Sequence, residues 1–132
     1  MFVEIKPSQR DVEGVWVTYS EGVKFRIARA GNPAFLKSTD RLEAPHRKKI
    51  SRGKLSTEKT IELHCAAMAE GILLDWEGLA TNEGPLPYSK ETATAVLRYN
   101  TDVRDFVFEF ATDQENFRQD EVVATAKKSA AT

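Results

Sequence analysis

Between Val15 and Ile27 the side chains alternate in character with a period of two, interrupted once at Ser20-Glu21-Gly22. Val15, Val17 and Tyr19 share one side of the first run, against Trp16 and Thr18. Val23, Phe25 and Ile27 share one side of the second, opposite Lys24, Arg26 and Ala28. The pattern predicts a β-hairpin with one apolar face and one wet face. A lone hairpin is marginal in water, so its apolar face requires helices from the same chain beneath it. Arg29 takes the next inward-phase position, which ends the buried part of the second strand at Ile27.

The rest of the chain supplies those helices. Asn32-Pro33 combines an N-cap with a proline at the first helical position and opens a helix through Phe35 and Leu36. Residues 41–59 carry few apolar anchors and predict a short helix, broken near Pro45 and stopped near Gly53. Ser56-Thr57-Glu58 caps a longer helix on which Ile61, Cys65, Met68 and Ile72 form one stripe, continued by Leu73 and Trp76. Ser89 caps a helix with Ala93, Val96 and Leu97 inward, and Thr101 caps the next, with Val103, Phe106, Val107 and Phe110 at helical spacing. A last helix is expected from about Asp113 to Ala126. The expected fold is therefore mainly α with a small N-terminal β-hairpin (α+β), a single compact domain of about five helices over residues 1–132. Its parts are a hairpin region at 1–31, a helical core at 32–126 and a frayed tail at 127–132.

Catalytic patterns are missing. The sequence has no phosphate loop, dinucleotide glycine pattern, nucleophile elbow or zinc spacing, and its only histidines are His46 and His64. His64 and Cys65 are neighbours on a helix and point about 100° apart, so they cannot chelate one metal together. Cys65 falls on the apolar stripe and reads as a small core residue. We expect no catalytic residue, no metal site and no cofactor: the chain is not an enzyme. With one cysteine no intrachain disulfide can form, and the N-terminus shows no export signal. No window approaches a membrane span. A reducing cytoplasm and no membrane partner are the expectations.

Three features point to interaction. The net charge of −1 hides an asymmetry: residues 1–60 hold 13 Lys/Arg and 7 Asp/Glu, a balance of +6, while residues 61–132 hold 6 and 13, a balance of −7. Arg47, Lys48, Lys49, Arg52 and Lys54 concentrate the positive charge. Asp102, Asp105, Glu109 and Asp113 recur at helical spacing as one acidic face, while Phe108 points about 160° from the Phe106 and Phe110 stripe. Lastly, 78–88 reads GLATNEGPLPY, an irregular loop that is nevertheless apolar at Leu79, Leu86 and Tyr88. With Pro85 and Pro87 stiffening it, Leu86 either anchors a second protomer or folds back with Tyr88 over the long helix, against Trp76.

Several of these segments together resemble the tail assembly chaperones of long-tailed, noncontractile bacteriophages. The resemblance is carried by GVWVTYSEGVKFRIARAGNPAF at Gly14 to Phe35, by Leu74 to Leu97 with DWEGL and GPLPYSKETATAVL, and by Glu115 to Phe117 before a lysine-containing end. It implies a small helical protein of the host bacterial cytoplasm, absent from the mature virion, that coats the tape measure protein and recruits tail tube protein during tail morphogenesis. A longer frameshifted product is common in such families, and Lys127-Lys128 is the kind of dipeptide a slippery site encodes. Coating a long helix implies a homo-oligomer, a head-to-tail ring or spiral, with Leu79, Pro85, Leu86, Pro87 and Tyr88 as its contact. The acidic face would meet the tape measure or tube protein. The alternative is a small nucleic-acid-associated regulator using residues 47–54, although a net charge of −1 and the lack of interleaved aromatics weigh against nucleic acid.

Overall fold

A computed structural model describes residues 1, 3, 5, 6 and 8–118. Ser8 opens a short helix α1 (Gln9–Glu13) through a capping box with Asp11, and Gly14 then delivers the chain into the hairpin. Strands β1 (Val15–Ser20) and β2 (Val23–Ile27) pair antiparallel across the two-residue turn Glu21-Gly22, with Val17 opposite Phe25. Tyr19, Phe25 and Ile27 face the core, while Trp16 stays 45% exposed on the outer face.

The helices follow in order: α2 (Pro33–Glu43), a 3-10 turn (Ala44–His46), α3 (Arg47–Ser51), α4 (Thr57–Gly71), α5 (Lys90–Tyr99) and α6 (Thr101–Thr112). Asn32, Ser56 and Ser89 cap α2, α4 and α5 with their side-chain oxygens. Pro45 falls in the 3-10 turn that separates α2 from α3, and Gly53 follows α3 with φ of 65°. One core joins sheet and helices: Phe25, Ile27, Cys65, Met68, Ile72, Leu73, Trp76, Ala93, Leu97, Val107 and Ala111 are buried together. The architecture is α+β and mainly helical.

Three local expectations need correction. The long helix does not run on through Leu73 and Trp76; it stops at Gly71, and Leu73–Glu77 form a third strand, β3, on the free edge of β2. Phe25 faces Trp76 in this ladder, and on the wet side Lys24 lies opposite Glu77 and Arg26 opposite Asp75, favourable cross-strand pairs. The unpaired backbone edge of β2 supplies the reason, since its N–H and C=O groups require partners. Gly78 turns out of β3 with φ of 87° so close to the hairpin turn that a Cβ would lie 1.8 Å from the Gly22 carbonyl oxygen.

Thr101 is the first residue of α6 rather than its cap. Asn100 precedes it and uses its amide to close α5, donating Nδ2–H to the Val96 carbonyl at 3.0 Å. Over the described part of the expected last helix, Asp113 ends α6 and Gln114–Phe117 make a 3-10 turn. Asp113 accepts the Glu115 N–H, Asn116 donates to the Phe110 carbonyl at 3.0 Å, and Phe117 packs on Phe110. The remainder of that helix, the Lys127-Lys128 pair and the 127–132 tail lie outside the described residues.

Candidate functional site

The 78–88 segment is more regular than its composition suggests. Ala80–Thr81 and Gly84–Pro85 form a miniature hairpin, β4 and β5, closed by Asn82-Glu83 with the Glu83 N–H on Thr81 Oγ1. Leu86 N–H then donates to the Leu79 carbonyl at 2.9 Å, and the Leu86 carbonyl accepts Trp76 Nε1–H at 2.8 Å. Tyr88 donates its hydroxyl to the Leu73 carbonyl at 2.7 Å and meets the Trp76 indole edge to face at 5.0 Å. Burial, with repulsion from Asp75, raises the Tyr88 pKa. Of the two arrangements open to this loop, the structure shows the folded-back one: Leu79, Leu86 and Tyr88 pack on the domain's own core, and of the five residues expected to make the contact Pro85 and Pro87 are left exposed. Buried indole N–H and phenol O–H groups need acceptors, and the loop supplies one of them.

Helix α6 is wedged into the fold on two sides. Phe106 meets Tyr19 at 5.0 Å and Phe25 at 6.4 Å, while Phe108, on the other side, meets His64 of α4 edge to face at 4.8 Å. His64 also faces Phe35, and its pKa is lowered first by burial and then by Arg104. Arg104 donates to the Leu97 and Arg98 carbonyls and so binds the C-terminal end of α5. Cys65 beside it is fully buried, and that burial pushes its thiol pKa up, the opposite of what a nucleophile requires. Among the described residues no three His, Cys, Asp or Glu side chains are arranged to hold a metal. No described helix is long and apolar enough to cross a membrane.

The charged candidates all sit at the surface. Asp102, Asp105 and Glu109 are exposed on α6, and Asp113, also exposed, is occupied at its own turn by the Glu115 N–H. Arg47, Lys48, Lys49, Arg52 and Lys54 are exposed on α3 and the turn after it. Arg47 pairs with Asp40 of α2. Lys48, Lys49, Arg52 and Lys54 stand in no ion pair among the described residues.

Beside that cationic helix lies a feature the sequence reading missed. Helices α2 and α4 pack along their length, tied by the Arg41 to Glu70 ion pair, but α3 is too short to cover the space between them. What remains is a groove of about 460 Å³ whose walls include Leu36, Leu42, Ile50, Leu55, Leu63 and Ala67. A usable signal was present: Leu42, Ile50 and Leu55 are apolar residues left over once the core stripes are assigned, in or beside the most basic stretch of the chain, and Leu63 is another just after it.

Against known proteins, the family model described as YdaY prophage protein matches residues 30–128, three quarters of the chain. No curated protein and no solved structure matches significantly.

Proposed function

The chain belongs to the YdaY prophage protein family, and from that membership together with its surfaces we propose that it is a tail assembly chaperone, one that self-associates, coats the tape measure protein and recruits tail tube protein in the host cytoplasm. Phage origin supports the setting. The segments Leu74 to Leu97 and Glu115 to Phe117, which resemble such chaperones, fall inside the matched region.

One observation carries the reading: a small domain presents two unlike charged surfaces on separate helices, an acidic one on α6 and a basic one on α3. Complementary charge on two faces of one molecule suits head-to-tail contact between copies, and heterologous contacts of that kind build rings or open spirals. The acidic α6 face is offered to the tape measure or tube protein. Contact through the 78–88 loop falls to Pro85 and Pro87, since Leu86 is held by its own core.

Co-expression with the tape measure protein of the same prophage tests the reading. With the chain present the tape measure should stay soluble and co-purify with it; alone it should precipitate. Reversing Asp102, Asp105 and Glu109 to Lys should weaken co-purification while circular dichroism stays unchanged. A tape measure equally insoluble with and without the chain would refute the proposal.

A further inference from the structure

The groove between α2, α3 and α4 is built unlike the rest of the surface. Leu36 on one bank is 55% exposed and Ile50 on the other 38%, although both are large apolar side chains. Between them the walls are helical side chains at i, i+4 and i+7 spacing, Thr60, His64 and Ala67 on α4 facing Phe35, Thr39 and Leu42 on α2. Thr39 Oγ1 is buried in this wall without a hydrogen-bond partner among the described residues. Exposed apolar side chains converging on a concavity mark a docking surface rather than scattered surface residues.

Charge specifies what docks. Flanking the lining residues Ile50, Gly53 and Leu55 in sequence are Lys48 and Lys49 on α3 and Arg52 and Lys54 just beyond it, all exposed and outside any ion pair among the described residues. Of the acidic residues nearby, Asp40 is engaged with Arg47, Glu70 with Arg41 and Glu62 with Lys59, which leaves Glu43 on the α2 wall as one carboxylate outside any ion pair among the described residues, against four such cations. An apolar floor with a cationic bank complements a segment that is apolar on one stripe and anionic beside it. The segment is helical, because the walls are helices and offer no strand edge for an extended chain to pair with. A nucleic acid would match the bank but not the floor, where an apolar surface gains nothing from phosphate. The folded domain itself cannot supply such a helix from its acidic α6, since Phe106, Val107 and Phe110 are already spent on the core.

We propose that this groove docks an amphipathic helix of a partner protein whose apolar stripe is bordered by Asp and Glu. The inference rests on the groove and its charges; the chaperone reading can fail without it, and the reverse.

The test uses two fluorescein-labelled synthetic peptides of about three heptads, each with a Leu stripe, one bordered by Glu and one by Lys. Anisotropy titration of the full chain should show the Glu peptide binding at least about tenfold tighter than the Lys peptide. Amide shifts on binding should cluster at Leu36, Ile50, Leu55 and Leu63. Leu36→Asp, at an exposed position that leaves the fold intact, should weaken the Glu peptide by about tenfold or more. The combined Lys48→Glu, Lys49→Glu and Arg52→Glu variant should reverse the preference between the peptides. Equal binding of both peptides, binding of neither, or shifts mapping elsewhere would overturn the proposal. So would a DNA duplex binding at the same residues more tightly than the Glu peptide, or Leu36→Asp acting by dissociating a homo-oligomer.

Discussion

Replacing Gly71 by Ala should destabilise the protein, although helix propensity alone predicts the reverse. Gly71 ends α4, where Ala is favoured over Gly by about 0.8–1.0 kcal/mol in a helix interior and by less at a terminus. A Cβ there would lie 2.5 Å from Phe35 Cα, 2.6 Å from Phe35 N and 2.8 Å from Phe35 Cβ. Ordinary carbon contacts lie at about 3.5–4.0 Å, so α2 has to retreat by about 1 Å. These are backbone atoms and Cβ, so no rotamer change relieves them. Retreat also pulls Asn32 from its place, where Nδ2 donates to the Gly71 carbonyl at 2.8 Å inside the protein. Overpacking costs about 1–3 kcal/mol and a spoiled buried hydrogen bond about 1–3 kcal/mol more. Against the propensity gain, the net loss is about 3 kcal/mol, or roughly 9–15 °C in Tm for a chain of this length. Urea unfolding followed by tryptophan fluorescence and a thermal scan by circular dichroism both read it. Phe35→Ala should not rescue the variant, because the clashing atoms remain. A Gly71→Ala protein as stable as the parent, or more stable, would refute the close α2 to α4 packing and with it the groove geometry.

Other outcomes follow from the same contacts. Asn32→Ala removes the α2 cap, a buried bond to the Gly71 carbonyl and a partly buried one to the Arg29 carbonyl, and should lower stability by about 2–4 kcal/mol in urea unfolding. Leu86→Asp should lower the melting temperature and shift Trp76 emission to the red, since the loop it disturbs holds the indole; an unchanged melt with altered oligomer size would show the loop acting between copies instead. His64 has its pKa lowered below the ordinary 6.5 by burial, so the unfolded chain binds the proton first and stability falls as pH drops from about 7 through 6.5. His64→Leu should flatten that part of a Tm against pH profile, and a profile unchanged by the substitution would contradict it. Binding to duplex DNA should be weak at all salt concentrations; a tight complex lost steeply with added salt would favour a nucleic-acid role for residues 47–54.

Local signals in the sequence were legible where local chemistry decides the outcome. The Glu21-Gly22 turn and the caps Asn32, Ser56 and Ser89 announce themselves because a side chain or a positive φ acts within a few residues. The third strand was hidden because Ile72, Leu73 and Trp76 keep the helical spacing of the stripe before them. What selects a strand there is the distant edge of β2, which no window of sequence contains. The 78–88 loop left two arrangements open for the same reason: the acceptor that Trp76 Nε1–H needs is ten residues away. The groove was invisible as a site, since it results from two helices outrunning the short α3, a tertiary fact, although its unassigned leucines were in view. The charge asymmetry between the halves was legible directly, and the exposed α3 and α6 side chains keep it at the surface.

Coating, as distinct from simple binding, is the centre of the functional proposal, and stoichiometry tests it most directly. Complexes of the chain with a full-length tape measure protein, and with one shortened by half, can be weighed by size-exclusion chromatography with multi-angle light scattering. Coating predicts many copies per tape measure and a copy number that falls by about half with the shortened partner. One or two copies on both lengths would contradict the account.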